Sequence, residues 1–285
     1  MFFVLLSVLC SVLVSVLLKL ARRLEIDVAQ AIAWNYVVAG VLTALVMQPS
    51  LVPLREPGAP WLALIGLGVL LPTIFLALSA SIRHAGIVRS DAAQRLSLLL
   101  SLLAAFALFG ERFTAFKLAG IALGLLALSC MIWRRGAVAA TVGTADWRYP
   151  MLVFAGFGSI DILFKCVALA GVPLGTSLQA MFALALPLAF AVPLWQHLRG
   201  QTRFNLRSLS GGVALGLANF GNILFYLRGH RALPDRPALV FASMNIGVVA
   251  LGALVGLLLF HERLSRLNLG GVLLAALAIA VMVWG

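Results

Sequence analysis

Residues 100–133 recur at 251–284, displaced by 151 positions and without a gap. Leu103 falls on Leu254, Phe109 on Phe260, Glu111-Arg112 on Glu262-Arg263, Leu118 on Leu269, Gly120 on Gly271, Met131 on Met282 and Trp133 on Trp284. Apolar segments coincide by chance at leucine or alanine, but seldom at Glu-Arg, Gly, Met and Trp in one register. Each copy is an apolar run, a short charged break, and a second apolar run that opens near a glycine. Such a chain folds as two related units. A duplicated membrane unit supplies two halves that can exchange roles on either side of a central site.

Composition fixes the surrounding medium. The chain is 63% hydrophobic and 11% charged, with a mean hydropathy of +1.09, and nearly uncharged stretches of membrane-spanning length recur throughout. The net charge of +12 does not point to nucleic acid. Its basic residues stand singly or in pairs at the ends of apolar runs, without the basic stripe and interleaved aromatics that binding requires. Cys10, Cys130 and Cys166 lie inside apolar segments with no CxxC spacing and read as small core residues. Residues 1–18 lack a basic leading region and a small-residue cleavage pattern, so a first transmembrane helix is expected there, not a signal peptide.

Ten apolar runs fall at 2–20, 28–48, 60–82, 86–110, 114–133, 150–170, 174–196, 209–229, 237–260 and 267–284, each long enough to cross a hydrocarbon core of about 30 Å. The longest break, 134–148, separates two sets of five. The expected fold is therefore an all-α integral membrane protein of ten transmembrane helices. It divides into a repeat over 1–133, a linker over 134–148 and a second repeat over 149–285. Five is odd, so the second repeat enters the bilayer from the opposite side, and Glu111 and Glu262 are expected on opposite faces. Twelve Arg and Lys residues follow the odd-numbered spans and six follow the even-numbered ones. That bias places both termini outside the cytoplasm.

Gly110-Glu111-Arg112 followed by Gly120 and Gly124, and His261-Glu262-Arg263 followed by Gly270-Gly271, carry a resemblance to the drug/metabolite transporter superfamily, in the form with two EamA domains. With the five-plus-five layout, the resemblance covers nearly the whole chain. The prolines that family members often carry midway along spans 4 and 9 are absent. The resemblance implies a secondary transporter of a small metabolite, amino acid or drug-like solute, working by alternating access. It further implies an exporter in the bacterial cytoplasmic (inner) membrane, with cytoplasmic termini, opposite to the charge count. The expected partners are a small-molecule solute and membrane lipid; the layout admits a homodimer, and no cofactor or metal is expected. A lipid or lipid-linked sugar flippase of the same architecture is the alternative. A membrane enzyme acting on lipid is disfavoured, because His84, His197, His230 and His261 sit singly near span ends and no phosphate-binding loop is present.

Charges at membrane depth cost about 2.5–3.5 kcal/mol each on insertion scales, which singles out Lys19, Arg95, Asp161 and Lys165. Asp161 precedes Lys165 by four positions and Asp91 precedes Arg95 by four, so each pair shares a helix face and can neutralise itself. The functional reading puts Asp161 and Lys165 at a central cavity, binding solute or a proton. Lys19 is the repeat counterpart of Lys165, although a lysine so near a helix end can also reach the surface. Among neutral polar residues, Gln94 and Asn245 are repeat equivalents, and Asn35, Gln179, Asn219 and Asn222 join them as cavity candidates or interhelical hydrogen bonders. Trp34, Tyr36 and Tyr226 could stack on a ring-bearing solute or anchor the interface. The pairs Gly120/Gly124, Gly212/Gly216 and Gly252/Gly256 are small-residue surfaces that permit close helix approach.

Overall fold

A computed structural model describes residues 1–21, 23–85, 87–112, 114–132, 147–260 and 266–284, with backbone alone at 79, 82, 83, 87–89, 91, 92, 131, 132, 260 and 268. His261, Glu262 and Arg263 lie outside these residues, as does most of the expected linker. The elements are α1 (Phe2–Ala21), α2 (Val28–Met47), α3 (Trp61–Ala85), α4 (Ile87–Ala107), α5 (Ala115–Ile132), α6 (Arg148–Leu169), α7 (Leu174–Leu198), α8 (Leu206–Ala232), α9 (Pro237–Phe260) and α10 (Arg266–Trp284). Arg148 is the first residue of α6. Among the described residues, seven of these helices are long and apolar enough to cross a membrane, while α4, α5 and α10 carry shorter apolar stretches. Even the 18 residues of α5 extend about 27 Å at 1.5 Å per residue.

Contacts between loops define the two ends of the bundle. At one end, Glu111 accepts the Ala238 N–H at 2.7 Å, Thr176 donates to the Ser50 carbonyl at 2.7 Å and Arg236 donates to the Val283 carbonyl at 3.3 Å. At the other, Asp27 N–H donates to Ser208 Oγ at 3.0 Å, Gln30 donates to the Arg203 carbonyl at 3.1 Å and Arg207 bridges Glu25 at 3.0 Å. We call these the Glu111 end and the Asp27 end. Helix α1 finishes at the Asp27 end, whereas its repeat counterpart α6 finishes at the Glu111 end. The repeats are therefore inverted. Packing obeys the same exchange: α1 packs on α8 and α9 while α6 packs on α3 and α4, and α2 meets α7, α4 meets α9 and α5 meets α10.

The Gly-Glu break has a local explanation. Gly110 adopts φ +66°, a left-handed conformation that disfavours a Cβ, and the turn delivers Glu111 to the first turn of α9. Pro237 occupies the start of that helix, where its missing N–H costs nothing. One Glu111 oxygen accepts the Ala238 N–H, and the other pairs with Lys117 at 3.0 Å. The carboxylate of the first repeat thus caps a helix of the second, at the positive end of its dipole.

Two of the three small-residue pairs act as expected. A Cβ on Gly216 would lie 2.7 Å from Val38 Cβ and 3.0 Å from the Asn35 carbonyl, and one on Gly212 would lie 2.9 Å from the Ala31 carbonyl, so α8 touches α2 backbone to backbone. Gly120 and Gly124 similarly abut Met282, Ala278 and Ile246. Gly252 departs from the expectation: among the described residues a Cβ there would meet nothing within 4 Å. Gly216→Ala is expected to destabilise by about 1–3 kcal/mol through overpacking, and Gly252→Ala to be neutral or stabilising by up to about 1 kcal/mol. Unfolding titrations of the two purified variants check this; equal losses would contradict the assigned packing.

Candidate functional site

Asp161 lies just past the middle of α6, among apolar neighbours, and its carboxyl takes hydrogen bonds from three other helices. Ser101 Oγ of α4 donates to Oδ2 at 2.9 Å, Tyr226 OH of α8 donates to Oδ1 at 2.8 Å and Asn245 Nδ2 of α9 reaches Oδ2 at 3.3 Å. Asn245 Nδ2 also donates to the Phe241 carbonyl at 3.0 Å, which fixes the amide. The Tyr226 ring is held edge-on to Phe164, 5.6 Å between centroids at 87°. The donors come from both repeats, so the cluster straddles their interface.

Close approach makes this geometry possible. A Cβ at Gly158 would sit 2.6 Å and 2.8 Å from the Leu100 side chain, so only glycine lets α6 lie this near α4. Polar residues then line two helices at helical spacing. On α4 they are Ser90, Gln94, Ser97 and Ser101, all on one face. Ser97 Oγ donates to the Gln94 carbonyl at 2.6 Å, and Ser90 shares a 2.6 Å hydroxyl contact with Ser81 of α3. On α8 they are Asn219, Asn222, Tyr226 and His230. Asn219 donates to Asn35 Oδ1 at 3.0 Å, and Asn222 Oδ1 accepts from Ser7 at 2.8 Å.

Asp161 and Asn245 are thus directly bonded, and Gln94 is half-buried on the α4 face that carries Ser101. Asn35, Asn219 and Asn222 join helices α1, α2 and α8, and belong to an interhelical set. Gln179 is half-buried on α7, with its Oε1 enclosed and without a partner among the described residues. Arg95 is half-buried on α4; the Asp91 side chain lies outside the described residues. Lys19 is exposed in the last turn of α1 at the Asp27 end, close enough to a loop to reach water, and does not join Asp161.

The expected Asp161–Lys165 pair is corrected. No ion pair or hydrogen bond joins them among the described residues. Lys165 is wholly buried and donates to the Pro234 carbonyl in the α8–α9 turn at 2.6 Å. Spacing of i,i+4 places two side chains on one face, but Asp161 is claimed by donors across the bundle and the longer lysine extends towards the Glu111 end.

Sequence reasoning missed Ser101 and His230. The Ser90-Gln94-Ser97-Ser101 spacing was a usable signal for the first. For the second the signal was weaker: a histidine one turn beyond Tyr226 on the polar face of α8.

Comparisons with known proteins agree with this architecture. The sequence pattern of the EamA-like transporter family matches residues 1–133. A protein of Haemophilus influenzae, described as uncharacterized, is 39% identical over 283 residues, covering 97% of this chain and 95% of its own length. The chain belongs to the EamA-like transporter family. A solved crystal structure shares the fold at a TM-score of 0.70 over 98% of this chain and 95% of that one, with 17% identity.

Tyr226→Phe and Ser101→Ala are each expected to lower stability by about 1–2 kcal/mol. In a double-mutant cycle with Asp161→Asn, the tyrosine substitution should show a coupling of at least about 0.5 kcal/mol. Strict additivity in detergent unfolding titrations would remove the bond from the account.

Proposed function

We propose that this EamA-family carrier is a secondary transporter that exports a small solute by alternating access, with Asp161 as the hinge of its binding site. The observation that carries the reading is the Asp161 cluster itself: one carboxyl, near the middle of α6, bonded to Ser101 of the first repeat and to Tyr226 and Asn245 of the second. Intramembrane ionisable groups facing a bundle interior mark solute or ion paths, and sites between inverted repeats are the ones that rocking can expose to each side in turn. The repeats are taken as 1–133 and 149–285, joined by 134–148. The excess of Arg and Lys at the Asp27 end supports its cytoplasmic placement, in a bacterial cytoplasmic membrane.

Reconstituted protein, screened against a metabolite panel by thermal shift and then by uptake into liposomes, tests the proposal. Asp161→Asn keeps the shape of the side chain but alters its hydrogen-bonding set. It is expected to cut transport per folded molecule at least tenfold, with wild-type expression and a melting temperature within a few degrees. An undiminished rate in that variant overturns Asp161 as part of the site, and stabilisation by lipid extracts alone would favour lipid as the cargo.

A further inference from the structure

One turn beyond the Asp161–Tyr226 bond, the two helices that make it carry a second, unfinished pair. Helices α6 and α8 run in the same direction, from the Asp27 end to the Glu111 end. Lys165 follows Asp161 by one turn and His230 follows Tyr226 by one turn, so the two stand at the same level of adjoining helices. Both are wholly buried.

Their hydrogen-bonding capacity is not met by the protein. An ammonium has three donors and an imidazole two polar nitrogens. Among the described residues Lys165 makes one hydrogen bond, to the neutral Pro234 carbonyl, and its ammonium lies 5.9 Å from the centre of the Phe109 ring. Neither His230 nitrogen has a hydrogen-bond partner among the described residues; the ring lies between Tyr226 and Phe241, 4.8 Å and 4.9 Å between centroids. Carboxylates nearby are otherwise engaged: Glu111 holds Lys117 and the Ala238 N–H, and Asp161 holds its three donors. Asp235, in the turn beside Pro234, is exposed. Buried polar groups left open in this way cost about 1–3 kcal/mol each and call for an occupant.

We propose that Lys165 and His230 form the subsite that receives the anionic group, a carboxylate or another small monoanion, of the transported solute. The inference rests on the transporter reading and narrows it to anionic or zwitterionic cargo. An arriving carboxylate takes up the spare ammonium N–H and an imidazole N–H. A carboxylate carries a full negative charge where the Pro234 carbonyl is neutral, so the anion competes with that carbonyl for the ammonium and loosens the α8–α9 turn at the Glu111 end. A cation finds the Asp161 oxygens already occupied and an ammonium one turn away.

The test uses the purified full-length protein in micelles and follows thermal unfolding with propionate, benzoate, propionamide and propylammonium at matched ionic strength. The carboxylates are expected to raise the melting temperature by several degrees, and the amide and the amine are not. In Lys165→Met and His230→Phe the apparent affinity for the carboxylates should fall about tenfold or more, while Lys165→Arg, which keeps the charge if methionine prevents folding, retains the rise. An equal rise with propylammonium, a carboxylate rise that survives Lys165→Met, or no rise with either carboxylate overturns the assignment. So does a rise seen only with phosphatidylglycerol, which would make the anion a lipid headgroup. Transport of a cationic solute that fails in Asp161→Asn would end this inference and leave the transporter reading standing.

Discussion

A carboxyl group at the depth of Asp161 loses its water, and the protein has to replace that hydration with donors of its own. The replacement comes from three different helices, Ser101 on α4, Tyr226 on α8 and Asn245 on α9, and this requirement organises the middle of the bundle. It explains why α6 carries Gly158 where α4 crosses it, since a methyl there would strike Leu100. It explains why Tyr226 is wedged against Phe164, which holds the phenol at one angle. It also ties the two repeats together, beside the Ser7–Asn222 and Asn35–Asn219 bonds and the small-residue contacts of Gly212 and Gly216 against α2.

The two ends of the molecule are tethered differently. At the Glu111 end, side chains reach across to backbone: Glu111 to the α9 N-terminus, Lys165 to Pro234, Arg231 to the Val172 carbonyl and Thr176 to Ser50. Two of these form a reciprocal clasp, with α6 holding the turn after α8 and α8 holding the turn after α6. At the Asp27 end, the contacts among described residues are a helix cap, a few polar bonds and an exposed Arg207–Glu25 bridge, and exposed bridges contribute little. Opening the Glu111 end means exchanging specific bonds, which is the behaviour expected of a gate that responds to an arriving charged group.

Much of the fold was legible because its constraint is repetitive. The 151-residue register and the lengths of the apolar runs located ten helices to within a few residues, and the odd count of five dictated inversion. The site was legible in part. Asp161 stood out by the cost of its charge and Asn245 by its repeat partner Gln94, and Asp161 and Asn245 are bonded. What failed was pairing. Asp161 and Lys165 looked self-sufficient on one helix, yet each is satisfied or left open by partners from other helices, and helical spacing carries no information about those. Ser101 and His230 escaped notice because a serine in an apolar helix is usually bonded to its own backbone, and a lone histidine becomes informative only when its surroundings are seen to be dry. Lys19 and Lys165 share a repeat position but not a fate, because one ends at water and the other under the α8–α9 turn.

The most direct measurement of the central claim is side-specific labelling of residue 245. In a background where Cys10, Cys130 and Cys166 are replaced, Asn245→Cys is reconstituted in oriented liposomes and exposed to a small water-soluble thiol reagent from one side at a time. The account predicts labelling by the aqueous reagent, with the reactive side changing when a transported solute is added. Protection from water-soluble reagent on both sides, together with ready reaction with a lipid-soluble one, would place residue 245 against lipid and contradict a solute path through the Asp161 cluster.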